Sequence, residues 1–429
     1  MRRARRGFGA VCAAVAVLAI CCAGAAGGEC LLRGGETIVF FGDSITQGGA
    51  YIDYTEAFLA ARFPDKTFRI VNAGISSETI SGTSETDHNP RRPWAHDRFF
   101  RDVPPLKPHI VIACFGMNDG NYHPFERVRF QKFQAGVRLL IKRVRETCKA
   151  RLVLLTPPPF DPYRRRAADQ NAKEFGYKFP AVDYDYTLEV YSQWLMGLRR
   201  EGFVVADVHS ATNAHLRARR RDKVSFFLAG DAVHPNATGH WLMAQTLLEA
   251  LGAPATVAEA EIDATTKRAT RGSVADVAES PLRELSFTWT TPLPLPMDPR
   301  WDKESIALEK TSERLSRFTL TVLGLAAARY RLEADDTVVG EVKAEDLAKG
   351  LDLTTLPKLP ANAAAQHVLG LIQRRRQTIY KAWRRGIATG REGEGVAAIE
   401  KAEKETADLL AKAREMCKPK PMRLKLVPL

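Results

Sequence analysis

Short apolar runs alternate with longer amphipathic segments between about Thr37 and Leu251, and this alternation leaves few possible folds. Four of the five apolar runs are almost continuously hydrophobic, which is typical of parallel strands covered on both faces. The runs are TIVFF, FRIVN, HIVIACF, RLVLLT and FVVADV. The helical segments between and after them are Tyr54 to Phe63, Phe130 to Ala150, Val182 to Glu201 and Thr238 to Leu251. The pattern predicts an α/β domain with a parallel five-stranded sheet, whose ligands bind beyond the carboxyl ends of the strands.

Residues 1–26 have the layout of a secretory signal peptide. A basic start precedes an apolar run, Val11 to Ile20, and small residues follow that run. An uncleaved membrane anchor is the alternative, but the run is shorter than the roughly 20 residues that span a bilayer. Lipid attachment at Cys21 or Cys22 is a further alternative that the preceding residues fit poorly. No later segment is long and apolar enough to span a membrane, so we expect an exported protein, periplasmic or extracellular, without a stable transmembrane span.

The cysteines after this signal are scattered, and they form neither a disulfide framework nor a CxxC pair of the kind that binds metal. They are Cys30, Cys114, Cys148 and Cys417. Cys114 lies within the apolar run HIVIACF, and we expect it to be a small core residue. The cysteines therefore give no indication of a metal site.

The net charge of +13 falls to +9 without the four arginines of the signal. A basic exported protein favours an anionic glycan or a cell surface as a partner. Nucleic acid is not expected as a partner, because no recognised nucleic-acid-binding motif accompanies the charge. Two clusters, Arg217 to Arg221 and Arg374 to Arg376, are interpreted as solvated helix faces.

The chain changes character after about Gly252. Residues 253–281 are rich in alanine, threonine and charge, and we interpret them as a linker. Residues 282–357 contain runs with period-two alternation, which predict a small antiparallel β-rich unit. Residues 361–417 have the pattern of a basic helical region. Two roles stay open for the C-terminal part: a module that docks to a cell wall or glycan, or a structural cap packed on the α/β domain.

A serine follows directly after the first predicted strand, in TIVFFGDSITQGG. Gly42 permits a sharp turn there, which leaves the hydroxyl of Ser44 at the carboxyl end of the strand. A serine hydroxyl becomes a good nucleophile only when a neighbouring base removes its proton. Asp43 is expected to support the loop by hydrogen bonding rather than to catalyse. The structural alternative for Ser44 is the N-cap of a helix.

The segment LAGDAVHPNATGHW places Asp231 three residues before His234. In one tight turn the carboxylate can reach the Nδ1 proton of the imidazole, which fixes the tautomer and leaves Nε2 to face Ser44. We therefore interpret His234 as a general base and Asp231 as the residue that orients it. The same spacing, taken alone, also occurs by chance.

Donors for an oxyanion hole are expected behind two other predicted strands. Gly74 in NAGISSET can offer a backbone N–H, and Asn118 in FGMNDGN can offer its side-chain amide. The backbone N–H of Ser44 would be the third donor. As alternatives, Gly74 only relieves a turn and Asn118 only satisfies backbone groups.

Taken together and in this order, these segments resemble the four blocks of the SGNH hydrolase superfamily, the GDSL-like esterases and lipases. The blocks are GDSIT, NAGISSET, GMND and DAVH, and the resemblance covers residues 36–252. In the second block, Ser76 and Ser77 stand where a small residue or glycine is common in the family. The resemblance implies a flavodoxin-like three-layer α/β/α sandwich, ester hydrolysis through an acyl-enzyme, and neither a metal nor another cofactor.

The expected function is that of an exported serine esterase, and the substrate expected of such an enzyme is an O-acetyl group on carbohydrate. A lipase or lysophospholipase of the same fold is the alternative within enzymes, although no long apolar lid lies near the blocks. A surface- or glycan-binding protein with a subsidiary hydrolase domain is the alternative of a different class.

Overall fold

The computed structural model describes residues 30–164, 174–391 and 393–429. The predicted secretory signal, residues 1–26, lies outside these ranges. The described residues form an α/β domain, a β-sandwich and a group of C-terminal helices.

A five-stranded parallel sheet forms the centre of the α/β domain, as the alternation predicts. Its strands are β1 Thr37–Gly42, β2 Arg69–Gly74, β3 Ile110–Cys114, β4 Arg151–Leu155 and β5 Val204–Ala206. Their order in the sheet is β2-β1-β3-β4-β5. The register aligns Gly42 with both Gly74 and Cys114, so β1, β2 and β3 end level with one another. The loops that follow these three strands therefore start from the same edge of the sheet.

Helices cover both faces of this sheet. In chain order they are α1 Ser44–Gly48, α2 Ala50–Arg62, α3 Ala95–Asp102, α4 Arg127–Arg143, α5 Tyr184–Gly197, α6 Val208–Asp222 and α7 Ala237–Ala250, with single turns at Pro104–Leu106, Val144–Cys148, Pro162–Arg164 and Leu198–Glu201. Because successive strand side chains point to opposite faces, Phe40 shares a core with α2 and α7, whereas Phe41 shares the other core with α3 and α4. The predicted three-layer α/β/α fold is confirmed.

Residues 253–281 are not a linker, because they contain three strands. These are β6 Thr256–Asp263, β7 Arg268–Arg271 and β8 Val274–Glu279. In β6 only Ala260 and Ile262 are buried, while β7 and β8 lie mostly exposed at sheet edges. Hydrogen bonds to neighbouring strands define these elements more than burial does, which is why the hydrophobic pattern did not predict them.

The predicted β-rich unit, residues 282–357, forms a sandwich together with the supposed linker and the end of the chain. Its own elements are β9 Leu285–Thr291, α8 Lys303–Leu308, α9 Thr311–Leu315, β10 Arg317–Leu323, β11 Arg329–Ala334, β12 Thr337–Lys343, α10 Ala344–Lys349, β13 Leu351–Asp352 and a turn at Leu353–Thr355. The last strand of the chain is β14 Lys420–Pro428. The two sheets are ordered β13-β10-β6-β7 and β12-β11-β14-β9-β8, and their inner faces share one hydrophobic core. The unit is not wholly antiparallel, since β6 and β10 pair in parallel.

The basic helical region predicted at residues 361–417 forms α11 Pro360–Ala388, α12 Glu394–Glu405 and α13 Ala407–Cys417. Helix α11 runs along α2 and the edge strand β2, and it contributes Ile372 to one core of the α/β domain and Trp383 to the other. A sheet edge left uncovered would expose unpaired backbone groups. These helices are therefore packed into the α/β domain.

The segment Arg374 to Arg376 was predicted to be a solvated helix face, but two of its arginines form ion pairs between α11 and α2. Arg376 donates to Asp53, with 3.0 Å between Nη2 and Oδ2, and Arg375 Nη1 lies 3.3 Å from Glu56 Oε1. Asp53, Glu56 and Arg375 are buried, so only Arg374 fits the prediction of a solvated face. The register of two helices more than 300 residues apart in the chain decided this outcome.

The described cysteines are all free, and Cys114 is a buried core residue, as predicted. None of the helices in the described ranges combines the length and the apolar character that crossing a membrane requires.

Candidate active site

Ser44 is the first residue of helix α1, directly beyond the carboxyl end of β1. The residue before it, Asp43, caps this helix, because its Oδ1 accepts the backbone N–H of Ile45 at 3.0 Å. The N-cap alternative for Ser44 is therefore wrong, and its hydroxyl is left free of a capping role.

Gly42 is required at the strand end for a reason other than the expected one. Its backbone does not adopt a left-handed conformation. A Cβ atom at this position would instead lie 2.6 Å from the carbonyl oxygen of Cys114 and would clash with Thr46. The glycine thus permits the close approach of β3 and α1 to the end of β1, and this packing positions the serine.

The loop before α7 brings Asp231 and His234 together in one turn. Asp231 Oδ1 accepts the backbone N–H groups of Val233 and His234, at 3.1 and 2.8 Å. Its other oxygen, Oδ2, lies 2.7 Å from the Nδ1 atom of His234. Asn236 then caps α7 by accepting the backbone N–H of Gly239. One carboxylate therefore holds both the backbone and the ring of His234.

The ring of His234 reaches the serine: its Nε2 atom lies 2.8 Å from the Oγ atom of Ser44, across 190 positions of the chain. The side chains of His234 and Asp231 are 41% and 42% exposed, so solvent and substrate can reach them. Partial burial acts to raise the pKa of Asp231, but the hydrogen bonds from His234 and Val233 outweigh it and hold that pKa well below its ordinary value. Asp231 thus remains an anion beside the imidazole.

Asn118 lies in the loop after β3, and both ends of its side-chain amide have partners. Nδ2 donates to the carbonyl oxygen of Glu78 at 3.0 Å, and Oδ1 accepts the hydroxyl of Tyr122 at 3.1 Å. An amide nitrogen carries two hydrogens, so one N–H of Asn118 remains for another acceptor. By donating to Oδ1, Tyr122 fixes the orientation of the amide, so that Nδ2 is the end turned towards a further acceptor. The sequence analysis did not single out Tyr122.

Gly74 was expected to offer a backbone N–H to an oxyanion, and the structure contradicts this expectation. Its N–H donates to Oδ1 of Asn72 at 2.9 Å, within β2 itself. A Cβ atom here would also lie 2.6 Å from the backbone carbon of Thr46. Gly74 therefore permits close packing between β2 and α1, and its N–H is already occupied.

Ser77, three residues further along, has the features expected of such a donor. Its φ angle is 66°, in the left-handed region that glycine favours, which agrees with a family position where glycine is common. Within the described ranges its backbone N–H donates to no other group. The next residue, Glu78, supplies the carbonyl that holds Asn118, so Ser77 and Asn118 lie side by side.

Helix α11 supports the backbone of this second loop from outside. The hydroxyl of Tyr380 donates to the carbonyl oxygen of Gly74 at 3.0 Å. Trp383, one turn further along α11, lies over the guanidinium of Arg98, which donates to the carbonyl of Ala73 at 2.8 Å and to the carboxylate of Glu78. The C-terminal helix is therefore connected to the loop that carries Ser77.

Two buried carboxyl groups, those of Asp43 and Asp119, lie next in the chain to Ser44 and Asn118. Burial raises the pKa of Asp43 to about 7, against the hydrogen bond from Ile45, and the nearby Asp119 adds to the rise. Burial also raises the pKa of Asp119 to about 6, against the backbone N–H of Ser81 that its carboxylate accepts.

No group of His, Cys, Asp and Glu side chains suited to hold a metal ion occurs in the described ranges.

The raised pKa of Asp43 predicts a pH-dependent stability. The pKa of this group is above its ordinary value of 3.8, so the folded protein keeps a proton that the unfolded chain releases. The resulting stabilisation is complete below that value and is lost as the pH rises through about 7. Asparagine keeps the cap but cannot ionise. Asp43→Asn should therefore raise the melting temperature relative to wild type by several degrees at about pH 8 and by much less at about pH 4.

Asp65 is exposed, so Asp65→Asn serves as the control and should change the melting temperature equally at both pH values. An Asp43→Asn difference that does not depend on pH would contradict a buried, protonated Asp43.

Comparisons with known proteins find a matching family and two similar proteins. Residues 40–242 match the GDSL-like Lipase/Acylhydrolase family. An acetylxylan esterase of Geobacillus stearothermophilus is 26% identical over 245 residues, which are 51% of this chain and 94% of that protein. The solved structure of a gut microbial diltiazem-metabolizing enzyme is 22% identical, with a TM-score of 0.78 over 93% of this chain and 98% of that one. The last likeness shows a shared fold that includes the C-terminal units.

The family match spans the loops that carry Ser44, Ser77, Asn118 and His234. Residues 40–242 therefore form a domain of the GDSL-like lipase/acylhydrolase family, within the SGNH hydrolase superfamily, and the chain is an ester-bond hydrolase.

Proposed function

We propose that Ser44 is the nucleophile of this hydrolase, that His234 is its general base and that Asp231 orients the histidine. The single observation that carries the proposal is the continuous hydrogen-bonded chain Asp231–His234–Ser44, at 2.7 and 2.8 Å and open to solvent. Ser44 Oγ attacks the ester carbonyl while His234 Nε2 takes its proton. His234 then protonates the leaving alcohol, and water hydrolyses the acyl-enzyme by the same route.

The oxyanion hole of the proposal combines the backbone N–H groups of Ser44 and Ser77 with the side-chain amide of Asn118. Ser77 takes the place first given to Gly74, because the N–H of Gly74 is bonded to Asn72. The support for Asn118 is its orientation by Tyr122 and Glu78, which leaves one N–H free in the part of the chain that the structure describes. Donors held in advance stabilise the charge that develops on the carbonyl oxygen.

We propose an O-acetyl group on carbohydrate as the substrate. The support is the acetylxylan esterase relative, together with a histidine whose side chain is 41% exposed, which suits a polymer better than a buried acyl chain. Release of fatty acid in preference to acetate would instead support the lipase alternative. We extend the proposal to export, which the basic start and apolar run of residues 1–26 support. Mass spectrometry showing that the mature protein retains this stretch would count against export.

We propose that the C-terminal helices act as a cap that holds the oxyanion loop, rather than as a separate binding module. The support is the hydrogen bond from Tyr380 to Gly74 and the cation–π contact of Trp383 with Arg98, both made by α11. The backbone of the loop is held at Gly74 by Tyr380 and at Ser76 by Gln47, which leaves Ser77 little freedom.

The catalytic proposal predicts the behaviour of two variants. Ser44→Ala should reduce hydrolysis of a short-chain aryl ester, and acetate release from acetylated xylan, to background, because it removes the hydroxyl that forms the acyl-enzyme. Asn118→Ala should lower kcat by roughly 10² to 10³, the usual result of removing one oxyanion donor. Ser210→Ala, an exposed serine on α6, is the matched control and should behave as wild type. Wild-type turnover by Ser44→Ala would refute the proposal.

The cap proposal predicts the effect of removing one hydroxyl group. Tyr380→Phe should lower kcat by about tenfold with little change in KM. A displacement of ~1 Å at a reacting site can lower the rate about hundredfold, and the smaller displacement expected of this loop should weaken only the contacts made in the transition state. Tyr330→Phe also removes one tyrosine hydroxyl, which accepts the backbone N–H of Ala327 in the β-sandwich, and it should leave kcat unchanged. Equal kcat values for wild type and Tyr380→Phe would remove the tyrosine from the site.

A further inference from the structure

A groove of about 730 Å³ lies between the turn Pro162–Arg164 and helix α6. Its walls combine apolar and basic side chains, chiefly Phe160, Tyr163, Val224, Arg217, Arg220 and Arg221. The groove therefore contains three arginines of the cluster that the sequence suggested was a solvated helix face. Its volume is in the range of small-molecule binding sites.

The acidic groups of the groove already have partners. Asp161 is paired with Arg220 at 2.5 Å, and Asp185 lies 3.1 Å from the Nε2 atom of His209. In the described part of the chain, neither Arg217 nor Arg221 lies within ion-pair distance of a carboxylate, and both side chains are exposed. The groove therefore has two cationic groups available for an anionic ligand.

Two exposed aromatic rings in or near the groove each lie against a guanidinium group. Tyr163 is 83% exposed, and the guanidinium of Arg220 lies 5.2 Å from the centre of its ring. A second pair is formed by Arg164, whose guanidinium lies 4.0 Å from the ring centre of Phe227. Leaving a large ring in water is unfavourable, and aromatic faces that project from a surface often mark binding sites. Aromatic faces next to guanidinium groups suit a ligand that has both apolar ring faces and carboxylates.

The groove is joined directly to the catalytic loop. The backbone N–H of Asp161 donates to the carbonyl oxygen of Ala232 at 3.0 Å, and Ala232 lies between Asp231 and His234. On the other wall, Arg220 Nε donates to the carbonyl oxygen of Phe226 at 3.0 Å, in the same loop. These two hydrogen bonds place the groove beside the loop that carries Asp231 and His234.

We propose that this groove is a binding subsite for an acidic glycan, in which Arg217 and Arg221 bind the carboxylates of uronic acid units and Tyr163 packs on a sugar ring. The inference rests on the proposed function, which it deepens by assigning an acidic, acetylated polysaccharide as the substrate class. A guanidinium presents paired N–H groups that match a carboxylate, and this geometry favours arginine over lysine for such recognition.

The test compares kcat/KM for two acetylated oligosaccharides that differ only in a glucuronic acid branch. At about 20 mM salt the wild-type enzyme should prefer the acidic oligosaccharide by about three- to tenfold, the range expected for two exposed charge pairs. The preference should disappear at about 0.5 M salt, where exposed charges are screened. The double variant Arg217→Gln/Arg221→Gln should bring the ratio of the two kcat/KM values close to one at low salt.

The matched control is Arg268→Gln/Arg423→Gln, which removes the same charge from exposed strands of the β-sandwich and should keep the wild-type ratio. An equal loss of preference in the control would assign the effect to net charge, and no preference in wild type would overturn the subsite.

Measuring binding without turnover distinguishes a failure of the subsite from a failure of the proposed function. Calorimetric titration of Ser44→Ala protein with the deacetylated acidic oligosaccharide should give weaker binding when Arg217→Gln/Arg221→Gln is added. Undiminished binding in that combined variant would overturn the subsite even if the enzyme is an active esterase. Loss of binding would support the subsite even if Ser44 proved not to be the nucleophile.

Discussion

The hydrogen bond between Ser44 and His234 depends on a packing constraint at the edge of the central sheet. β1, β2 and β3 end level because Gly42 pairs with Gly74 and Cys114, and both glycines let helix α1 approach the strand ends more closely than a Cβ would allow. The serine is thus positioned by a buried contact, and the loop with His234 is held by Asp231 through three hydrogen bonds. Close packing holds Ser44 and hydrogen bonds hold the loop of His234, so the reacting groups stay close to their productive geometry.

The packing at this edge of the sheet also involves the C-terminal half of the chain. Strand β2 is an edge strand that carries the second loop at its end, and α11 covers it while supplying side chains to both cores of the α/β domain. The ion pairs of Arg375 and Arg376 with carboxylates of α2 fix where Tyr380 meets Gly74. Leaving those acidic groups buried without a partner would be costly, so the cap and the α/β domain stabilise each other.

Much of the fold and part of the site could be predicted from the sequence. Four of the five central strands are almost continuous apolar runs, and the spacing of Asp231 and His234 places two interacting groups in one turn, so the local pattern was sufficient for both predictions. Contacts between distant segments were not predictable: Arg375 and Arg376 pair with carboxylates of α2, and β14 joins the sandwich from the far end of the chain. Residue types alone also mislead. Ser305, His215 and Glu309 lie in the order of a second triad, at 2.9 and 2.7 Å, but this serine is fully buried and bonds to Asp302, so they tie α6 to α8 and cannot meet a substrate.

The central claim is that His234 activates Ser44, and covalent labelling tests it most directly. A fluorophosphonate reacts with a serine only when a neighbouring base makes its hydroxyl nucleophilic. Peptide mass mapping of the full-length protein after treatment should find the phosphonyl group on Ser44, with labelling lost in Ser44→Ala and slowed by more than about hundredfold in His234→Ala. A phosphonyl group on another serine, or equal labelling rates for wild type and His234→Ala, would contradict the account.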